Sequence, residues 1–299
     1  MSYGSNPENL ATLANDPRYR FVKGDIRDRR KVEEFMAQVD VVVNFAAETH
    51  VDRSISSPSA FLESNVVGTQ ALLEAARRSS LGKFVQISTD EVYGSAAGEV
   101  HFDENTALNP SSPYAASKAA ADFFVRAYHK TYGLPVAILR CTNNFGPRQF
   151  PEKFIPKTII LAMLGRKVAI YGNGLQVRDW IYVEDFCNAI NLLIDRETGG
   201  TTYNVSAGNE LTNIEVAKRI LRGVGKDEGL IQYVEDRPGH DVRYSLNSNQ
   251  IREELGWKPR FAFDDALDST INWYLANEKW WKPLLNDKVL SSTPWKENW

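Results

Sequence analysis

The sequence has 299 residues, of which 43% are hydrophobic and 24% charged, with a formal net charge of −3. A chain of this size holds a packed core, as one large α/β unit with a smaller lobe. The near-balanced charge argues against a nucleic-acid surface and against an acidic disordered tail. Cys141 and Cys187 are too few for a disulfide framework and lack metal-ligand spacing, so no metal is expected. No apolar run is long enough to span a membrane and residues 1–6 carry no leader pattern, which points to a cytoplasmic address.

In chain order, Asp25-Ile26 follows what reads as a short strand, and residues 41–47 (VVVNFAA) read as a buried parallel strand. Residues 61–78 then show helical spacing behind Pro58. Residues 84–88 form the next strand pattern and run into Ser88-Thr89-Asp90-Glu91. Residues 114–132 are helical behind Pro113, and 136–140 form a third strand ending at Cys141-Thr142-Asn143-Asn144. Strands alternating with helices predict an α/β fold with a doubly wound parallel sheet, whose ligands lie beyond the carboxyl ends of the strands. After Pro147 the pattern changes: prolines 151 and 156, a glycine turn at Tyr171-Gly172-Asn173-Gly174, and Arg178-Asp179-Trp180 leading into another helix. This assigns residues 1–150 and 176–206 to the sheet domain and 151–175 and 207–299 to a smaller lobe. The aromatic segment 280–299 reads as a chain end packed on the surface.

Tyr114 precedes Lys118 by four residues, which puts phenol and ammonium on one helix face. A cation beside a phenol of ordinary pKa, about 10, stabilises the phenolate and makes it a base near neutral pH. A lone pair of this spacing is equally a solvent-facing Tyr and Lys, but Ser88-Thr89 at a strand end offers the hydroxyl partner that such chemistry needs. Asp90-Glu91 is either an exposed acidic turn or, at the end of a buried strand, a pair of proton handlers.

With Tyr114, Lys118 and Ser88-Thr89 in place, the chain resembles the extended short-chain dehydrogenase/reductase family, Rossmann-like enzymes that bind NAD. Thr89-Asp90-Glu91-Val92-Tyr93-Gly94 is similar to the nucleotide-sugar 4,6-dehydratase version of that loop; 4-epimerases of the family lack the acid pair. The resemblance implies that Tyr114 takes the 4-hydroxyl proton with Lys118 and Thr89 beside it, Glu91 removes the C5 proton and Asp90, held protonated, protonates the leaving C6 hydroxyl. NAD takes the C4 hydride and returns it to C6.

Carried over residue by residue, Asp25 and Ile26 become the adenine contact, Ala46, Ala47 and Glu48 the strand end under the dinucleotide, and Asn65 a helix-borne cofactor contact. Ser88, Cys141 and Asn143 complete the cofactor set. Gly68 and Asn65 otherwise serve packing and a turn. Asn143-Asn144-Phe145-Gly146-Pro147, Phe150-Pro151-Glu152-Lys153, Gln176-Val177-Arg178-Asp179-Trp180 and Asp236-Arg237-Pro238-Gly239-His240-Asp241 resemble the pattern of members that act on dTDP-glucose. The resemblance puts Asn144, Arg178, Asn213 and Arg237 on the diphosphate, with Glu152 and Lys153 also on the substrate. His50 and His240 read as buried, hydrogen-bonded histidines without a catalytic role. The resemblance further implies a homodimer paired through the Tyr114 helix and the helix beginning near Phe61.

One element departs from the pattern. The family opens on a strand and a GxxGxxG turn that holds the pyrophosphate, whereas the first fifty residues here contain only Gly4 and Gly24. The expectation is a chain lacking its first strand and phosphate turn, with weak NAD binding and poor folding. UDP-glucose dehydration, epimerisation or decarboxylation on the same scaffold, and a silent nucleotide-binding protein, stay open as alternatives.

Overall fold

The computed structural model describes residues 3–197 and 199–299. Strands β1 (Val41–Asn44), β2 (Lys83–Thr89) and β3 (Val136–Cys141) lie side by side. Further along follow β4 (Asn143–Phe145), β5 (Val168–Tyr171), β6 (Val177–Tyr182), β7 (Thr201–Val205), β8 (Glu210–Thr212) and β9 (Ile231–Val234). The main sheet is parallel throughout, in the order β1-β2-β3-β7. All six residues of β3 are buried, as expected of a strand covered on both faces.

The helices are α1 (Arg29–Met36), α2 (Val51–Ser56), α3 (Pro58–Phe61), α4 (Thr69–Arg77), α5 (Pro113–Tyr132), α6 (Phe154–Met163), α7 (Val183–Ile194), α8 (Asn213–Gly223), α9 (Asn249–Leu255) and α10 (Phe263–Ala276). On one face of the sheet Leu72, Leu73, Ala76 and Val125 pack against Phe84, Val136 and Ile138. On the other, Ile190, Leu193, Ile251 and Trp257 pack against Val85, Leu139 and Val205. This is the doubly wound arrangement. A third core joins α6, α8 and α10 through Ile159, Ile160, Ile220 and Leu267.

Four local expectations change. The first strand stops at Asn44, whose side-chain oxygen accepts from the Ala46 amide at 3.1 Å and turns the chain. Arg178-Asp179-Trp180 lies inside β6 instead of leading into a helix, because β6 pairs with both β4 and β8 and α7 begins only at Val183. Among the described residues no strand precedes Asp25, which sits in a turn with its own ion pair to Arg27 at 2.7 Å. The 280–299 segment is more than surface trim: Trp281 and Val289 are wholly buried in the third core, and Trp295 packs edge-on to Tyr171.

Helix α5 shows why its boundaries were legible. Ser112 caps the Ala115 amide, Pro113 occupies the first turn where its missing N–H costs nothing, and Gly133 ends the helix in the left-handed conformation at φ 71°. Between α3 and α4 the chain widens into a π-helix, Leu62–Gly68, the kind of distortion that gathers at functional sites. Gly68 is needed there, since a Cβ would lie 2.4 Å from Ile26 Cδ1. Among the described residues the outer edge of β1 has no strand partner, and Ile26, Phe35, Met36, Val39 and Leu72 line an apolar groove beside it. Among the described residues no helix is long and apolar enough to cross a membrane.

Candidate active site

Register puts the carboxyl ends of β2 and β3 level, with Thr89 opposite Cys141. Thr89 begins a turn, Asp90–Tyr93, in which its hydroxyl accepts from the Glu91 amide at 3.3 Å and donates to Asp90 Oδ1 at 3.0 Å. Gly94 closes the turn at φ 80° and ψ −161°, a region essentially reserved for glycine. A Cβ there would stand 2.3 Å from the Asn109 carbonyl. The acid pair is thus presented by a backbone that tolerates little change.

Asp90 is buried, its Oδ2 has no partner, and burial followed by repulsion from Glu91 pushes its carboxyl well above the usual carboxylate range. Burial also raises Glu91, but Arg237, Arg178 and Lys153 oppose the rise, and Glu91 opens onto the cavity. Both carboxyls are thus raised, but Glu91 adds repulsion at Asp90 whereas three cations oppose the rise at Glu91, an asymmetry of the kind that distinct acid and base roles use.

Tyr114 comes from α5 into the same cluster, near enough for Thr89 to hydrogen-bond its phenol and for Glu91, Cys141 and Asp90 to act on its charge. The lowering of the phenol by Lys118 that the spacing suggested does not prevail: burial first, then Glu91, pushes Tyr114 well above its ordinary value. The Lys118 ammonium is turned to the Ile87 carbonyl at 2.6 Å. Cys141 closes the group from β3, its thiol pushed up to about 12 by burial.

Around this group Asn65 acts as a clamp. Its oxygen accepts from the Glu48 amide at 2.8 Å, and its nitrogen donates to the Glu48 carbonyl at 3.0 Å and to Ser117 Oγ at 2.9 Å, tying the π-helix, the 46–48 loop and α5 together. Ala46 and Ala47 sit in that loop. The Glu48 carboxylate is paired with Arg53 at 3.2 Å, whose guanidinium stacks on Tyr3 and Trp299. Among the described residues Ser88 Oγ, near the end of β2, and Asn143 Oδ1, at the start of β4, are buried without partners, a polar rim that fits the amide end of a nicotinamide. Asp25 and Ile26 lie apart from this group, on the other side of Gly68. No Gly-rich phosphate turn occurs in the 299 residues.

The cavity beside the acid pair holds about 1010 Å³ including its open mouth. Glu152, Lys153, Arg178, Asn213, Arg237 and Asn143 are on its wall, together with both His50 and His240. Asn144 is not: side chains alternate along β4, and its amide donates to Cys141 Sγ and the Thr142 carbonyl instead. Lys153 donates to the Thr49 carbonyl at 2.9 Å, and Arg178 to the carbonyls of Val177 and Asp241. His240 is hydrogen-bonded to Asp236 at 2.6 Å and burial lowers it to about 4, so at neutral pH it is an uncharged wall residue.

Several wall residues escaped the sequence reading. Asp52 pairs with Arg237 at 2.7 Å and accepts from the Tyr171 hydroxyl at 2.9 Å. Lys157, one helical turn after Lys153 and detectable by that spacing, is lowered to about 8 by burial. Tyr244 stacks under Arg178, with the guanidinium carbon 4.1 Å from the ring centroid.

Comparison with known proteins agrees with this geometry. A profile of the GDP-mannose 4,6 dehydratase family matches residues 2–270. The dTDP-glucose 4,6-dehydratase of Streptomyces niveus is 48% identical, with 98% of this chain and 87% of that protein covered. The low-salt glycan biosynthesis protein Agl12 of Haloferax volcanii is 47% identical, covering 93% and 89%. Among solved structures, the dTDP-glucose 4,6-dehydratase DesIV of Streptomyces venezuelae with NAD and TYD bound superposes with a TM-score of 0.94 at 46% identity, covering 95% of this chain and 88% of that one. With a family match across most of its length and near-complete relatives close to half identical, the chain belongs to the GDP-mannose 4,6 dehydratase family, on its dTDP-glucose 4,6-dehydratase branch.

Proposed function

We propose that the protein dehydrates dTDP-glucose to dTDP-4-keto-6-deoxyglucose with NAD as an internally regenerated cofactor. The observation that carries this reading is the juxtaposition of Tyr114, Asp90 and Glu91 at one strand end, with burial raising both carboxyls and three cations opposing the rise at Glu91. When bound, NAD accepts hydride from C4 and gives it back to C6, and its cationic nicotinamide favours the phenolate that burial alone disfavours. Tyr114, steadied by Thr89, takes the 4-hydroxyl proton. The ketone at C4 acidifies C5–H, which Glu91 removes; Asp90 gives its proton to the C6 hydroxyl, which leaves as water. Glu91 then returns a proton to C5 as hydride reaches C6. Arg178, Arg237, Asn213 and Lys153 supply the donors for the diphosphate, with Glu152 on the same wall.

The cofactor contacts follow the sequence reading at Asn65, Ser88, Asn143, Lys118 and the 46–48 loop. Domain-wise, residues 1–150 and 176–206 carry NAD and the remainder carries the nucleotide sugar. Leu62 and Val67, exposed on the π-helix, and Phe123 and Phe124, exposed on α5, supply an apolar face for pairing two copies as a four-helix contact, in a protein whose expected address is the cytoplasm. Sedimentation as a monomer at micromolar concentration ends the pairing reading.

The test is turnover of dTDP-glucose with added NAD, read as the base-induced absorbance of a 4-keto-6-deoxy sugar. Glu91→Gln and Asp90→Asn are each expected to lose elimination, by roughly 10²–10⁴-fold for a general acid or base. Full turnover by Glu91→Gln removes the C5-base assignment, and equal kcat/KM on UDP-glucose removes the dTDP preference.

A further inference from the structure

Glu91 has a neighbour that the mechanism does not use. The Tyr244 hydroxyl lies 2.8 Å from Asp241 Oδ2 and 3.4 Å from Glu91 Oε2. On its far side Asp241 accepts from Ser111 Oγ at 2.7 Å, and Ser111 is exposed while Asp241 and Tyr244 are buried. The ring is fixed in place. Arg178 covers its face, the same guanidinium donates to the Asp241 carbonyl at 3.0 Å, and the Tyr244 amide donates to the Val177 carbonyl at 3.3 Å. Tyr244, Asp241 and Ser111 thus form a hydrogen-bonded series of oxygen-bearing side chains from the candidate C5 base on the cavity wall to an exposed residue.

We propose that Tyr244 and Asp241 are positioning residues forming a proton relay that exchanges the proton on Glu91 with solvent while a sugar closes the cavity. The inference rests on Glu91 being the C5 base. Once Glu91 has taken the C5 proton, its neutral carboxyl donates to the Tyr244 oxygen as the Tyr244 hydroxyl proton passes to Asp241 Oδ2. One proton has moved from Glu91 to Asp241, the phenol ends neutral, and Asp241 releases the proton to water beside Ser111. Run backwards, the same steps load Glu91 with a solvent proton, which is the one delivered to C5.

The experiment needs no hydride transfer. In dTDP-4-keto-6-deoxyglucose the C5 hydrogen is next to the ketone, so the base alone can exchange it. The full chain is incubated with this keto sugar in D2O, and loss of the C5 proton signal is followed by NMR. The expected result is exchange by the unaltered protein and slowing by about tenfold or more in Tyr244→Phe, which keeps the ring under Arg178. Asp241→Asn, which keeps the tyrosine, is expected to slow it likewise, with circular dichroism confirming fold in each. Exchange at the unaltered rate in either folded variant overturns the relay, as does absence of exchange in the unaltered protein. Unaltered exchange in Glu91→Gln instead removes the base assignment itself, and is recognised because Glu91 is then dispensable.

Discussion

Replacing Asp52 by Asn removes the counter-ion of Arg237 without changing shape. The pair is almost fully enclosed, with side-chain exposures of 14% for Arg237 and 3% for Asp52, and joins α2 to the segment after β9 at 2.7 Å. Burial alone would raise Asp52, but attraction by Arg237 and His50 and hydrogen bonds from Arg237 and Tyr171 more than offset it, so its carboxyl lies below the ordinary range. Leaving one charge of a buried pair uncompensated costs about 3–5 kcal/mol, and Glu91 near Arg237 points to the lower end, about 3. At about 2–4 °C per kcal/mol for a chain this large, the melting temperature falls by roughly 6–12 °C.

The sign of the pH dependence is fixed. A depressed carboxylate contributes stability that is present above the unfolded pKa, about 3.9, and is lost as pH falls through the folded value. The difference in melting temperature between the parent and Asp52→Asn, followed by circular dichroism, is therefore full at neutral pH and shrinks in acid. Combining Asp52→Asn with Arg237→Met is expected to recover much of the loss, because the buried cation goes too. Equal melting temperatures at neutral pH, a gap that does not narrow in acid, or strict additivity in the double variant would refute the reasoning.

Gly94→Ala is expected to lower kcat and melting temperature together, because the forbidden backbone region costs about 1–3 kcal/mol and the added Cβ would clash with the Asn109 carbonyl and shift the turn that presents the acid pair; parent-like turnover shows that the turn tolerates the shift. Lys157 is an ammonium only below about 8. The KM for the diphosphate substrate is expected to climb as pH rises through that value, and to stay flat over the same range in Lys157→Met; superimposable profiles show that Lys157 makes no contribution to binding.

Local sequence determined much of this protein. The period of apolar residues defines the alternation of strands and helices, and four-residue spacing puts Tyr114 and Lys118 on one turn-related face of α5. The apolar, β-branched run 84–87 reads as a strand, and the Ser88-Thr89-Asp90-Glu91 stretch that follows it is brought to the sheet's carboxyl edge. These are short-range consequences of backbone geometry and burial. Where the reading failed, the deciding contact was distant or depended on which face a short strand turns. The resemblance puts Asn144 on the diphosphate and Asn143 on the cofactor, but along β4 it is Asn143 that faces the cavity while the Asn144 amide turns to Cys141. The 280–299 tail looked superficial until α10 supplied a wall for Trp281.

The Lys118 ammonium shares a helix face with Tyr114, yet the backbone carbonyl of Ile87 claims it, and nothing in a spacing reports that competitor. Asp52 meets Arg237 across 185 positions and Tyr244 meets Glu91 across 153. No periodicity encodes such pairs. They exist because the chain after β9 packs against α2 and the turn at the end of β2, a consequence of tertiary packing alone.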